Sequence, residues 1–214
     1  MRDRKSTKSR LWLLALIAGL TPGWLLLSAA SALADTRTCQ IERVAGAATL
    51  SHDGKRSAAK AGTALAAKDQ IRTGGDGRVE ITCSDQTTVT LGADTEINLG
   101  SLVGEQGEDT SIAMSLHRGI ARFLAPMRTW GSFSVFGPVA VASVRSTEWV
   151  METPKRGTNV LVLKGRVEVR GKRADGYIIG ASYGIDVAAD GTIGEPKQWA
   201  AARVEKTLKR LAFP

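Results

Sequence analysis

The sequence predicts an all-β fold of stacked, curled, antiparallel-rich sheets, a β-sandwich or a β-solenoid-like body, with one short C-terminal helix. Three observations carry that prediction. In the stretch from Ser132 to Met151, Phe133 and Val135, then Val139 and Val141, then Thr147, Trp149 and Met151 recur at every second position, which is strand spacing. Short apolar runs of this kind are punctuated by Asp53-Gly54, Asp76-Gly77, Asp175-Gly176 and Asp190-Gly191, pairs that supply the backbone angles of tight turns. Between residue 41 and about residue 193 no long amphipathic helical pattern interrupts them.

Taken in order, residues 1–34 read as an export signal. Arg2, Arg4, Lys5, Lys8 and Arg10 precede apolar runs from Leu11 to Leu20 and from Trp24 to Ala30, and Ala32-Leu33-Ala34 offers small residues where a signal peptidase needs them. Cleavage there would start the mature chain at Asp35. The alternative is an uncleaved membrane anchor, because the two runs together are about long enough to span a bilayer, although Thr21-Pro22-Gly23 interrupts them. Both readings put the body outside the cytoplasm, periplasmic or secreted, with membrane contact only through an uncleaved N-terminal segment.

Residues 35–193 form the predicted β domain. Strands are expected at Ile41 to Leu50, Val79 to Cys83, Thr88 to Leu91, Glu96 to Leu99, Ile112 to Leu116, Ile120 to Leu124, Asn159 to Leu163, Arg166 to Arg170, Tyr177 to Ile179 and Gly184 to Val187. Within Ser132 to Met151, Gly137-Pro138 marks a corner, and the apolar phase slips near Ser143-Val144 as a bulge would require. Gly77-Arg78-Val79-Glu80-Ile81 is echoed by Gly165-Arg166-Val167-Glu168-Val169, and more loosely by Gly119-Ile120-Ala121-Arg122-Phe123, each read as a strand start after a turn. Residues 194–214 change character. Val204, Leu208 and Leu211 share one helical face, predicted to dock across an open end of the β body; a membrane-surface or partner-binding helix is the alternative.

Chemistry is sparse. Cys39 and Cys83 form an even pair in an exported chain and are read as a disulfide, worth about 4 kcal/mol as an upper figure on the chain-entropy account; two free buried thiols are the alternative. A lone distant pair does not make a metal site, and no cofactor motif is present. The net charge of +8 falls to +4 without the first ten residues, and basic residues neither cluster with aromatics nor form a stripe, so no nucleic-acid partner is predicted.

His52 and His117 are isolated in sequence, His52 in a solvated turn, and neither has a nucleophile or an orienting carboxylate nearby in the chain. Gly131-Ser132-Phe133-Ser134-Val135 lacks the second glycine of a nucleophile elbow, and Thr73-Gly74-Gly75-Asp76-Gly77 reads as a hairpin turn, lacking the Gly-Lys-Ser/Thr ending of a phosphate loop. Asp69, Asp85, Asp94 and Glu96 read as solvated charges. Trp149 belongs to the core face, whereas Trp130, Arg145 and Glu148 are the candidate partner-binding residues, an exposed tryptophan and a charged pair three residues apart.

One ordered set of motifs remains. It runs through Val44-Ala45-Gly46, Ala61-Gly62-Thr63-Ala64-Leu65, Asp69-Gln70-Ile71-Arg72-Thr73-Gly74, Arg78-Val79-Glu80-Ile81 and Asp85-Gln86-Thr87-Thr88-Val89-Thr90-Leu91. Leu116-His117-Arg118-Gly119-Ile120-Ala121, Phe133-Ser134-Val135-Phe136-Gly137-Pro138, Val144-Arg145-Ser146-Thr147-Glu148-Trp149-Val150 and Leu163-Lys164-Gly165-Arg166-Val167-Glu168-Val169 follow, with Gly180 after them. Over residues 44 to 187 this order resembles the FecR domain, the periplasmic module of ferric-citrate-type sigma-factor regulators that also occurs in other exported proteins. The signature residues on this reading are Asp69, Ile71, Arg72, Thr73, Gly74, Thr147, Trp149 and Gly165. Ser146 departs from the pattern, which usually has glycine there.

The resemblance implies a fold of stacked, curled sheets and a non-enzymatic binding or signalling role outside the cytoplasm. The regulators also carry a cytoplasmic segment before their membrane helix and a small transducer-facing domain after the β domain. Ten residues before the apolar run and roughly two dozen after the β domain are too few for either. The expected function is therefore an exported, non-catalytic binding or signalling module that engages a protein or an envelope polymer. A membrane-anchored regulatory subunit of the anti-sigma type is the first alternative, and a hydrolase of envelope polymers the second.

Overall fold

The structure, a computed structural model, describes residues 36–107, 110–126, 131–172 and 176–214. In chain order the strands are β1 (Thr36–Arg37), β2 (Cys39–Ala45), β3 (Ala48–His52), β4 (Lys55–Ala58), β5 (Gln70–Thr73), β6 (Arg78–Cys83), β7 (Thr88–Leu91), β8 (Glu96–Asn98) and β9 (Gly104–Glu105). The long β10 (Ser111–Ala125) follows, then β11 (Ser132–Phe136), β12 (Ala140–Val144), β13 (Thr147–Thr153), β14 (Thr158–Lys164), β15 (Arg166–Gly171), β16 (Gly176–Gly180), β17 (Tyr183–Val187) and β18 (Lys197–Gln198). Helix α1 (Ala201–Lys209) closes the chain, as the sequence predicts. The proposed export signal, Trp130 and the first residue of the Asp175-Gly176 turn lie outside the described residues.

Two sheets share β10. The first has the order β2-β6-β7-β10-β13-β14-β17-β18, and the second the order β4-β3-β5-β8-β10-β11-β12-β15-β16. Residues 119–125 of β10 pair with β13 and β7 in the first sheet, while Ser111–Ser115 pair with β11 in the second. The β10–β11 ladder is parallel and the other ladders of the described residues are antiparallel. The sheets do not close into a barrel.

The sequence predicts two strands where β10 is one. Register slips between Leu116 and Arg118, and Gly119 takes φ +93°, so the strand bends there without ending. Only glycine fits, because a Cβ would stand 2.4 Å from the Thr95 Cα. The Thr95 hydroxyl accepts the Ile120 N–H at 3.0 Å and so satisfies the backbone inside the bend. Gly119 is consequently mid-strand, whereas Gly77 and Gly165 do precede strands as the echo predicts.

Elsewhere the chain changes sheet where a continuous strand or a hairpin is expected. Ile41 to Leu50 divides at Gly46, φ +65°, putting β2 in the first sheet and β3 in the second. Thr73–Gly77 is not a hairpin either: β5 and β6 belong to different sheets, and the loop is pinned by Gly74 N–H to the Ala47 carbonyl and by Ala47 N–H to Asp76 Oδ1. The phase slip near Ser143-Val144 is a crossing rather than a bulge. β12 ends in the second sheet, Arg145-Ser146 bend, and β13 begins in the first. Ser146 is not among the residues with positive φ, so the bend accepts a side chain where the family pattern has glycine.

Between the sheets lies one apolar core. Trp149 stacks on Phe123 at 5.0 Å and meets Phe133 of the opposite sheet edge-on at 5.3 Å, geometry that adds about 1 kcal/mol per pair beyond area burial. Cys39 and Cys83 stand opposite one another on β2 and β6 and are disulfide-bonded. Beside them Arg37 and Asp85 are buried together. Arg37 Nε donates to the Leu102 carbonyl at 2.7 Å, its Nη1 reaches Asp85 at 3.4 Å, and Asp85 Oδ1 accepts the Thr87 N–H at 2.8 Å. Burial pushes the Arg37 guanidinium below its ordinary pKa, and the Asp85 charge opposes that. Asp85 is thus a buried internal ion-pair partner, where the sequence suggests a solvated charge.

Helix α1 lies on the outer face of the first sheet, not across an open end. Val204, Leu208 and Leu211 pack with Trp199 against Ile120, Val150, Leu161 and Leu163. Arg203 stacks 3.4 Å from the Trp199 ring centroid and donates to Asp186 at 3.0 Å, and Arg210 pairs with Glu152.

Candidate functional site

The signature residues turn out to hold the sandwich together. Asp69, 3% exposed, accepts the Ala66 N–H at 2.9 Å through Oδ2 and contacts His52 Nδ1 at 2.7 Å through Oδ1. That corrects the reading of both residues: His52 ends β3 half-exposed against a carboxylate, and Asp69 is not solvated. The hydrogen bond to Asp69, reinforced by its charge and by that of Asp53, raises the His52 pKa above its ordinary value. Ile71 is a core residue; Arg72 donates to Glu96 at 2.7 Å, and Glu96 also contacts Arg118 at 3.4 Å. Thr73 Oγ1 donates to the Gly92 carbonyl at 2.6 Å and accepts the Thr95 N–H at 2.9 Å, tying β5 to the bend in β10. Across the later crossing, Thr147 Oγ1 donates to the Arg166 carbonyl at 2.9 Å, and Gly165, φ +85°, has no room for a Cβ, which would stand 2.6 Å from the Ser146 carbonyl oxygen.

One end of the sandwich opens into a cleft of about 770 Å³ beside the β10 bend. Its walls come from loops far apart in sequence: Asp94 after β7, His117 and Arg118 in β10, Pro138 between β11 and β12, Lys155 between β13 and β14, Lys172 after β15 and Arg210 at the end of α1. His117, Asp94 and Thr153 line it together, but among the described residues no hydrogen bond joins the histidine to either, so they do not form a relay.

The second sheet ends in two different edges. β4 presents Lys55 and Arg56, whereas β16 presents Tyr177 and Ile178, the latter 72% exposed, with Tyr183 exposed just beyond. Among the described residues β16 pairs only with β15.

Comparison with known proteins places part of the chain in a family. The family described as FecR protein matches residues 69–168. Those residues are a FecR domain. Two crystal structures of a candidate anti-sigma factor from Parabacteroides distasonis ATCC 8503 superpose on the chain with a TM-score of 0.54 at 20% identity. They cover 65% of this chain, which in turn spans 64% and 63% of theirs, and the likeness is one of fold. No curated protein sequence matches the chain. FecR domains are regulatory, non-enzymatic modules associated with the cell envelope.

The match covers the FecR domain from Asp69 to Glu168; strands β2 to β4 and β16 to β18 extend the same two sheets beyond it. Of the residues expected to bind a partner, Arg145 is exposed in the bend between β12 and β13. Glu148 is half-buried on the outer face of the first sheet, where Arg122 Nε donates to it at 2.7 Å. Sequence reasoning missed both the cleft and the β16 edge. The Tyr177-Ile178 pair on a short strand was the available signal for the edge; the cleft had none, because its four cations lie far apart in the chain, on β10, on two loops and at the end of α1. Among the described residues no helix is long and apolar enough to cross a membrane.

Proposed function

We propose that the chain is an exported, non-catalytic FecR-type module that regulates by binding a partner protein, and that the partner adds a strand to β16. The observation that carries the reading is the contrast between edges. Edge strands expose unpaired N–H and C=O groups and are ordinarily guarded by charge. β4 follows that rule with Lys55 and Arg56, and β16 breaks it with Ile178. A partner strand pairing there would cover Ile178 and gain main-chain hydrogen bonds, the recognition mode known as strand addition. Trp130, Arg145 and Glu148, the residues read from the sequence, are the competing candidates for partner contact.

A photo-crosslinking amino acid at position 178, and separately at 56, 130 and 145, in intact cells followed by mass spectrometry tests the proposal. An adduct to one protein from position 178 and none from 56 is expected. Adducts only from 130 or 145 would move the partner to those residues; adducts to glycan would make the module a polymer binder. The likeness in fold to a candidate anti-sigma factor supports the alternative of a membrane-anchored regulatory subunit, and the two readings separate at the N-terminus. A mature chain that begins at Asp35 fits export with cleavage, and an intact N-terminus fits the anchor.

A further inference from the structure

We infer that the cleft at the bend of β10 is a binding site for a small polyanion, a ligand that carries a phosphate group with at least two negative charges. The inference is independent of the β16 edge. Arg118, Lys155, Lys172 and Arg210 line the cleft against one carboxylate, Asp94. Arg118 and Arg210 are partly neutralised by Glu96 and Glu152. Lys155 and Lys172 have no carboxylate partner among the described residues, and both are exposed.

A concave wall of one charge sign focuses the field and concentrates counter-ions within it. About 770 Å³ falls in the range of sites that take small ligands, enough for a phosphorylated sugar. The second, separate observation is chemical. Thr153 lines the same cleft, is buried, and its hydroxyl has no hydrogen-bond partner among the described residues. A buried hydroxyl in that condition is costly unless something supplies a partner. Uncompensated lysines together with an unsatisfied hydroxyl fit an anionic oxygen ligand and do not fit a cation or an apolar guest. Two lysines from separate loops, neither with a carboxylate partner among the described residues, can each meet one charge of a phosphate ester, which is why a dianion is inferred.

The test is titration of the full-length protein by calorimetry at fixed ionic strength. The probes are inorganic pyrophosphate, glucose 1-phosphate and, in a separate arm, phosphatidic acid vesicles, whose headgroup is also a phosphate monoester. Saturable binding is expected, weakened roughly tenfold or more in the Lys155→Glu/Lys172→Glu double variant and unchanged in Lys55→Glu at the distant β4 edge. Both cleft lysines are exposed, so the double variant keeps its fold, which its unfolding midpoint checks. Preference for glucose 1-phosphate over vesicles identifies a soluble phosphate ester, and the reverse a lipid headgroup. No binding of any probe, or equal loss in Lys55→Glu and the double variant, overturns the assignment.

Discussion

The outer faces of the two sheets are built on opposite plans. On the first, Ile120, Val150, Leu161 and Leu163 make an apolar surface that helix α1 and Trp199 roof over. On the second, neighbouring positions are small hydroxyls, with Ser111 beside Ser132 at 3.1 Å and Ser134 beside Ser143 at 2.9 Å, and nothing among the described residues covers them. The difference lies in what each face asks of its surroundings. An apolar face must be removed from water, so a strand covered on both sides reads as a continuous run, as in Val160-Leu161-Val162. Serines bonded to one another and to water need no cover. The roofed face is therefore committed to stability, and the bare sheet is the one at whose β16 edge the partner strand is proposed to pair.

Substitutions can break that contrast. The largest effect is expected from Leu161→Asp, which sets a charge under the roof with no partner: about 4 kcal/mol of stability lost, with α1 released, measured by urea denaturation and by proteolysis of the tail. The same chemistry on the bare sheet, Ser143→Asp, is expected to shift stability by no more than about 0.5 kcal/mol. Equal losses at the two positions would mean that the serine face is also covered.

The smallest effect belongs to the rim of the bare sheet, at His52 and Asp69. Because Asp69 raises the folded-state pKa of His52, its contribution is complete below the unfolded value of about 6.5 and is lost as pH rises through the folded one. A shallow fall in stability between those points is expected in unfolding curves recorded against pH. His52→Gln, which cannot titrate, should flatten it, and a slope that survives in the variant would assign the titration elsewhere.

How much was legible follows from the range of each interaction. Alternation over five or six residues marked most strands, placed Trp149 inside and identified the helical face of Val204, Leu208 and Leu211, since side-chain direction is a local property of the backbone. The pairing of Cys39 with Cys83 was legible for a different reason, there being two cysteines and one way to join them. Asp69 and Asp85 were misread as solvated because a carboxylate in a turn has the same local sequence whether or not distant chain passes over it.

By itself, then, the sequence determined an all-β FecR domain with a disulfide and a terminal helix, because periodicity, turn chemistry and ordered motifs all act over a few residues. Only the tertiary structure decided that β10 bends at Gly119 to serve both sheets, that the chain changes sheet at Gly46, Thr73–Gly77 and Ser146, and which outer face is roofed. Only there do Arg118, Lys155, Lys172 and Arg210 meet around one cleft. Those outcomes depend on which strands pair across tens of residues and on how the bends between them are satisfied, and no short window of residues contains that information.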